Sequence, residues 1–407
     1  MIKATLVNSV FKKRTVNQPT KKVGAVIIGG DFQGLGILQS LGQHGIPTCL
    51  LDKGLCIGRF SRYAKRFMKC PGIKQEALFL EFMTDLAIRE NINGWIVYPN
   101  DDETVCFLAR HKEQLGKHYQ ITTPCWDVVK FAYEKRLTYQ LAEKIGIPVP
   151  RTLYPESAEE VEELDIEFPV ILKPSVKEPF YSQTRKKAIR VDSRQELVRE
   201  FAEAEQFTGR HRLMIQELIP GGSSHLFSVG SFYKDGDFLG KVVARRARQH
   251  PMDFGHATTY AETVDEPELE EITKKILGAI GYYGLSEVEF MLDPRDGRYK
   301  LLEINARLWG WHTLAIAAGV DLPYLLYQDM LGEKVRQDSY ARDIKWIRLV
   351  TDIPTAAGEI FRGRMKLADY LHSWKGKKHF AVWSLTDPLP FIAEILMLPY
   401  LWKKRGF

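Results

Sequence analysis

The sequence predicts an α/β body followed by an α+β body, and three observations carry that reading. A βαβ unit occupies 23–52, antiparallel hairpins are written into 223–249 and 285–310, and β-branched runs alternate with helical spacing between them. At 407 residues and 45% hydrophobic the chain can bury two or three separate cores, and it is too apolar for disorder. The expected boundaries are a basic extension at 1–22, a first body at 23–130, a second at 131–335 and a basic extension at 336–407.

VGAVIIGG at 23–30 is a β-branched run ending in glycines, as in a parallel strand buried on both faces. Leu35, Leu38 and Leu41 then recur at helical spacing, and IPTCLLD at 46–52 reads as the second strand. Such a unit is right-handed. Another strand is expected at 94–101, with a helix starting on Asp101, Asp102 and Glu103, where acids suit the positive end of the helix dipole. Gly29, Gly30, Gly34 and Gly36 followed by Asp52 leave two readings open. One is a dinucleotide loop serving an NAD-dependent oxidoreductase; the other is a plain strand-to-helix turn, because the spacing is not the strict GxGxxG.

Around residue 131 the organisation changes. Residues 131–153 read as a helix, a Gly-Ile-Pro stop and a strand entry, and 167–174 as a strand carrying Lys173 near its end. LMIQELIPG at 213–221 is a strand running into a Pro-Gly turn. Residues 223–249 alternate with period two about the turn Lys234-Asp235-Gly236. A helix at 266–283 leads to the second hairpin, which turns through Asp293-Pro294-Arg295-Asp296-Gly297.

That second hairpin is the informative part. Residues two apart on a strand share a face, so Glu303, Asn305 and Arg307 of LEINAR project together. Glu289, in EVEF on the partner strand, reaches the same face across the turn. Two carboxylates and an amide oxygen form a hard-oxygen cage of the kind Mg²⁺ takes, completed by substrate phosphates. Arg307 beside them can clamp a phosphoryl group; the alternative is a cross-strand salt bridge from Arg307 to either glutamate. Lys135 at a helix start and Lys173 at a strand end can neutralise a triphosphate tail. Gln216-Glu217-Leu218-Ile219-Pro220 offers alternating polar and apolar groups suited to a purine, and His225 can reach a ribose hydroxyl.

Taken in order, Lys135 before GIPVP, Lys173 in VILKP, QELIPG, EVEF and LLEINAR resemble the ATP-grasp superfamily of ATP-dependent ligases over about 131–335. The 23–130 stretch resembles the Rossmann-like domain that precedes that fold. The resemblance implies ATP held between two α+β lobes. Lys135 and Lys173 would contact phosphates, Glu217, Leu218 and Ile219 the adenine, and His225 the ribose. Mg²⁺, or Mn²⁺ in its place, would sit on Glu289, Glu303 and Asn305, and Arg307 with Lys173 would act on the transferring phosphoryl group. The segment ARRARQHPMDFGHATTYAET at 244–263 is similar to the carboxylate–amine ligase branch, D-aspartate ligase-like. It makes Arg245 and Arg248 candidates for phosphate or substrate carboxylate, with Arg248 catalytic; a solvated basic strand is the other reading. The implied activity converts a carboxylate to an acyl phosphate and couples it to an amine, releasing ADP and phosphate. One departure stands out: the stretch 175–191 after VILKP contains no glycine. Backbone amides are therefore poor candidates for cradling phosphates there, and Lys177, Arg185, Lys186 and Lys187 are the expected substitutes.

Charge narrows the partners. Residues 1–22 and 336–407 each carry +6, which leaves the body at −6. A nucleic-acid binder needs its basic residues along the body, so that class is excluded. Five scattered cysteines without a CxxC pair argue against a disulfide framework, and a reducing, cytoplasmic location is expected. The apolar stretch 388–402, followed by Lys403-Lys404-Arg405, is too short and too broken to span a bilayer. It suits either peripheral contact with an anionic membrane at its inner face or packing on the body or on a twin subunit. Two rivals to the ligase stand open: the oxidoreductase, and a catalytically inactive ATP-binding scaffold at a membrane.

Overall fold

The computed structural model describes residues 22–209, 212–252, 255 and 257–405. Except for Lys22, the basic extension expected at the N-terminus lies outside those residues. Strands β1 (Ala25–Ile28), β2 (Thr48–Asp52), β3 (Arg66–Lys69), β4 (Trp95–Pro99) and β5 (Tyr119–Ile121) form a parallel sheet in the order β3-β2-β1-β4-β5. Every residue of β1, β2 and β4 is buried, as expected of strands covered on both faces. The order reverses between β1 and β4, so their carboxyl ends open a crevice. Gly29, Gly30, Asn100 and the first turn of helix Asp102–Arg110 line it.

The glycines of this crevice are consumed by packing. A Cβ on Gly34 would lie 2.0 Å from the Gly29 carbonyl oxygen, and one on Gly36 would lie 2.5 Å from Thr313 and 2.6 Å from His312. Asp52, which a nicotinamide dinucleotide would need at its ribose, accepts from Gly30 N at 2.8 Å and Gly54 N at 2.9 Å. Both features of the oxidoreductase alternative are thus bound up in the turn itself, and that alternative is set aside.

Two further sheets follow, antiparallel throughout except for the parallel pair of strands at Lys345–Ile347 and Lys378–Phe380. β6 (Thr152–Leu153), β7 (Val170–Pro174), β8 (Ile189–Val191) and β9 (Leu213–Glu217) make a four-stranded sheet in the order β6-β9-β7-β8. Helix Arg194–Thr208 packs on it, and this lobe has a core of its own around Val161, Leu172, Phe180 and Phe201. β10 (Leu226–Lys234), β11 (Asp237–His250), β12 (Ala257–Thr263), β13 (Gly284–Asp293), β14 (Arg298–Asn305), β15 (Lys345–Ile347) and β16 (Lys378–Phe380) make the larger sheet, ordered β14-β13-β10-β11-β12-β15-β16. The last two strands belong to the part expected as a C-terminal extension, so that segment completes the sheet. Ala25, Leu38, Tyr98, Trp309, Trp346 and Ala393 share one continuous core, which joins the parallel sheet, the larger sheet and the C-terminal helices. The glycine-free stretch is no plain loop: it holds helix Phe180–Thr184 and β8.

Candidate active site

The site grows from the β13–β14 hairpin. Alternation puts Glu287 opposite Asn305 and Glu289 opposite Glu303, with a bulge just after Glu289. Like charges directly opposed across a strand pair repel, and here each is answered by a cation from another element. Lys135 Nζ donates to Glu303 Oε1 at 2.8 Å. Arg246 Nη2, from β11, donates to Glu289 Oε2 at 2.6 Å. Asn305 Nδ2 donates to Glu289 Oε1 at 3.0 Å and Glu287 Oε2 at 3.2 Å.

Helix Lys135–Lys144 brings in Lys135, and β7 carries Lys173. Lys135 N donates to the Ser175 carbonyl at 2.9 Å, fixing the helix start beside the end of β7. One turn along, Tyr139 Oη donates to Leu302 O at 2.8 Å and accepts from Lys173 Nζ at 2.7 Å. Lys173, Lys135 and Glu303 are thereby tied into one cluster spanning the four-stranded and the seven-stranded sheets. Arg307 enters just beyond β14. Its Nε donates to Asp102 Oδ1 at 2.6 Å, and its Nη2 donates to Asn305 Oδ1 at 3.3 Å. Asp101 caps the helix through Thr104 N, while Asp102 is the acid that leaves the helix for the site.

The electrostatics follow from that crowding. Burial pushes the Glu287 carboxyl up, and the neighbouring Glu289 adds to the rise. Burial also pushes at Glu303, but Lys135 and Lys187 outweigh it and hold the carboxylate charged. Asp102 behaves the same way: desolvation is overcome by Arg307, and its pKa falls well below the usual carboxylate range. Lys187 is solvent-accessible yet hangs over a packed cleft, where desolvation lowers its pKa against the pull of Glu303 and Glu289.

The other expected residues fall as follows. Glu217 ends β9, accepting from Arg151 N at 2.9 Å, Lys300 Nζ at 3.0 Å and Arg295 Nη2 at 2.6 Å. Leu218 is half-buried and Ile219 buried on the segment that leaves it. His225 is half-buried and meets the Gly221 carbonyl through Nδ1 at 2.8 Å. Lys177 lies over the Tyr181 ring at 4.9 Å, and its charge acts on Asp102; Arg185 and Lys186 are exposed. Arg245 pairs with Glu262. Arg248, expected among the catalytic cations, stands apart from the cluster. It is buried, donates through Nε and Nη2 to Asp352 at 2.8 and 2.9 Å, and lies 4.1 Å from the Tyr260 ring centroid. Arg246, two residues earlier, is the arginine that meets the carboxylates.

Glu287, Arg246 and Asp102 escaped the sequence reading. Glu287 obeys the same period-two rule as Glu289 and could have been found by it. Arg246 and Asp102 depend on sheet order and on contact between distant segments.

Among the described residues no group of three or more His, Cys, Asp or Glu side chains is arranged to hold a metal. The set at hand is two carboxylates and an amide, which fits an ion that takes its remaining ligands from phosphates and water.

Residues 210–352 match the protein family described as ATP-grasp in the biosynthetic pathway with Ter operon. D-aspartate ligase of Enterococcus faecium is 24% identical over 328 residues, covering 76% of this chain and 77% of that protein. Among solved structures, the L-amino acid ligase of Bacillus licheniformis superposes with a TM-score of 0.59 at 16% identity, over 77% of this chain and 75% of that one. The biotin carboxylase domain dimer of 2-oxoglutarate carboxylase from Hydrogenobacter thermophilus, in complex with MgADP and bicarbonate, gives 0.63 at 19% identity, over 80% of this chain and 74% of that one. The match to an ATP-grasp family thus covers residues 210–352, and the chain shares the fold of these solved structures over about four-fifths of its length.

Proposed function

We propose that this chain is an ADP-forming carboxylate–amine ligase of the ATP-grasp type, with the body at 23–130 acting as the Rossmann-like domain that precedes the nucleotide-binding lobes. The observation that carries the proposal is the opposed pair Glu289 and Glu303, each held by a cation on its outer side. Lys135, Lys173 and Lys187 bind the phosphates of ATP, and Glu217, Leu218, Ile219 and His225 hold its nucleoside. Glu289, Glu303 and Asn305 hold Mg²⁺, for which Mn²⁺ is a substitute. When bound, the ion supplies charge neutralisation and alignment of the phosphates.

A substrate carboxylate oxygen attacks the γ-phosphorus, the bond to the β,γ-bridging oxygen breaks, and ADP leaves. The amine then adds to the acyl phosphate carbon, loses a proton, and phosphate departs as the amide forms. Arg307, held by Asp102 at the crevice of the parallel sheet, stabilises the charge that develops on the transferring group. Lys173 assists it. No enzyme-bound acyl intermediate is needed, which agrees with the chemistry of the residues present.

The similarity to D-aspartate ligase makes amino acids the first substrates to test. ATP-dependent phosphate release with pooled amino acids, followed by mass spectrometry of the product, should reveal an amide of dehydrated mass. ATP binding without ADP formation in any carboxylate–amine mixture would instead support the inactive scaffold. The scattered cysteine usage without a CxxC pair is the ground for proposing a reducing, cytoplasmic location. A twin subunit and an anionic membrane are the macromolecular partners proposed beside the small molecules.

A further inference from the structure

The C-terminal segment turns its polarity inside out. Helices Leu389–Leu396 and Leu398–Arg405 follow Asp387, and none in the described chain is long and apolar enough to cross a membrane. On the first helix the single acid, Glu394, is 1% exposed and bonded to buried Arg348 at 2.8 Å. Leu389, Ile392 and Leu396, spaced three and four apart on one stripe, face water, and Leu396 is 77% exposed. Leu385, just before, is 85% exposed while its neighbour Asp387 is 1% exposed. A surface helix ordinarily does the reverse.

A second segment joins this face. Asp387 accepts from Arg62 N at 3.0 Å and from Ser61 Oγ, and Arg62 Nη1 reaches Thr386 O at 3.3 Å. The loop 53–65 is thereby pinned beside the helices, with Tyr400 Oη 3.5 Å from where a Cβ on Gly54 would stand. That loop exposes Leu55 and Phe60 together with Lys53, Arg59, Arg62 and Lys65. No acidic residue occurs between 53 and 75, and Lys403 is exposed at the far end of the second helix. Within these two segments, then, every exposed charge is positive and both acids, Asp387 and Glu394, are buried.

We propose that this face seats the protein on an anionic lipid surface, with the leucines entering the headgroup boundary and the basic side chains meeting the phosphates. Charge decides between occupants. A second copy docking through the same face would set cation against cation, whereas an anionic bilayer is complementary to both the apolar stripe and its basic rim. Helix length limits the contact to the interface. The proposal is independent of the ligase reading, because attachment is read without turnover.

The test is co-sedimentation of the full chain with vesicles of phosphatidylcholine alone or with about 30% phosphatidylglycerol, in about 0.1 M salt. The expected result is binding at least tenfold tighter on the anionic vesicles, weakening as salt rises. Lys53→Ala with Arg59→Ala should lower partition about thirtyfold, from about fivefold per basic side chain. Leu385→Ser, Leu389→Ser and Leu396→Ser together should lower it by more than tenfold with an unchanged melting temperature. Should that variant lose its fold, the pair on the 53–65 loop still decides. Equal partition on both vesicles, or unchanged binding by the charge variant, overturns the proposal. So does a concentration-dependent dimer in sedimentation velocity that the leucine substitutions abolish.

Discussion

Replacing Glu303 with Gln tests the site at its centre. Lys135 and Glu303 are unit charges 2.8 Å apart, and both side chains are largely out of water. At an effective dielectric constant of about 20 their attraction is about 6 kcal/mol. The desolvation of both ions opposes most of that. The Gln amide also keeps an oxygen for Lys135 Nζ, so the substitution removes charge and leaves the bond. Relief of the repulsion between Glu303 and Glu289 returns part of the loss. The net cost to the ligand-free protein is therefore about 1–2 kcal/mol, a fall of a few degrees in melting temperature. The functional loss is far larger, because an amide cannot replace the carboxylate as a magnesium ligand: activity should fall by more than a hundredfold. The assays are ATP-dependent phosphate release against Mg²⁺ concentration, and thermal shift with and without Mg-ATP. In the wild type, nucleotide at about 100 times its Kd should add about 2.7 kcal/mol of stability, and Glu303→Gln should lose most of it. Turnover within threefold of wild type, at an unchanged magnesium requirement, would remove Glu303 from the metal.

Three further outcomes are expected. Lys173→Ala should raise the Kd for ATP at least tenfold by calorimetry, and unchanged affinity would free Lys173 of its phosphate role. Asp102→Asn should destabilise the protein above the ordinary aspartate value of 3.8, because Arg307 holds the folded-state pKa below it. That stability is fully present above 3.8 and is lost as pH falls through the much lower folded-state value, so wild type and variant should differ in urea unfolding at pH about 7 and the difference should shrink steadily once the pH drops below 3.8. Arg248→Lys should cost about 2–4 kcal/mol by breaking a buried bidentate pair with Asp352, while leaving the Kd for ATP unchanged.

How much could be read in advance differs by the range of the interaction. Period two put Glu303 and Asn305 on one face, and the turn at 293–297 fixed which strands pair, but the register Glu289–Glu303 rests on the bulge after Glu289, since the pairing set at the turn would place Glu289 opposite Leu302. Glu287 was equally legible. The partners of these acids were not: Arg307 finds Asp102 across 205 positions, and Arg248 finds Asp352 across 104. A basic strand such as 244–249 gives no hint which arginine turns inward, because β11 shifts register between Arg245 and Arg248. The two last strands of the large sheet were hidden for a related reason: at three residues each, they carry too short a pattern to be recognised.

The pairings at the site also say how it can bind a polyanion without unfolding around it. Left unpaired, Glu289 and Glu303 would repel across the hairpin, and Lys135 and Arg246 would be buried charges without partners. Each pair solves the other's problem. Mg-ATP brings both signs of charge, so it can take the place of each partner at once: phosphate oxygens for the cations, the metal for the carboxylates. The exchange keeps every buried charge paired at each end of the process, and the gain in affinity is the difference between two well-paired arrangements. Nucleotide without metal supplies only one half, and would leave two facing carboxylates stripped of their cations. Affinity for ATP should accordingly depend on Mg²⁺ in the wild type and lose that dependence when Glu289 and Glu303 are both Gln. A metal dependence that survives the double substitution would place the ion elsewhere.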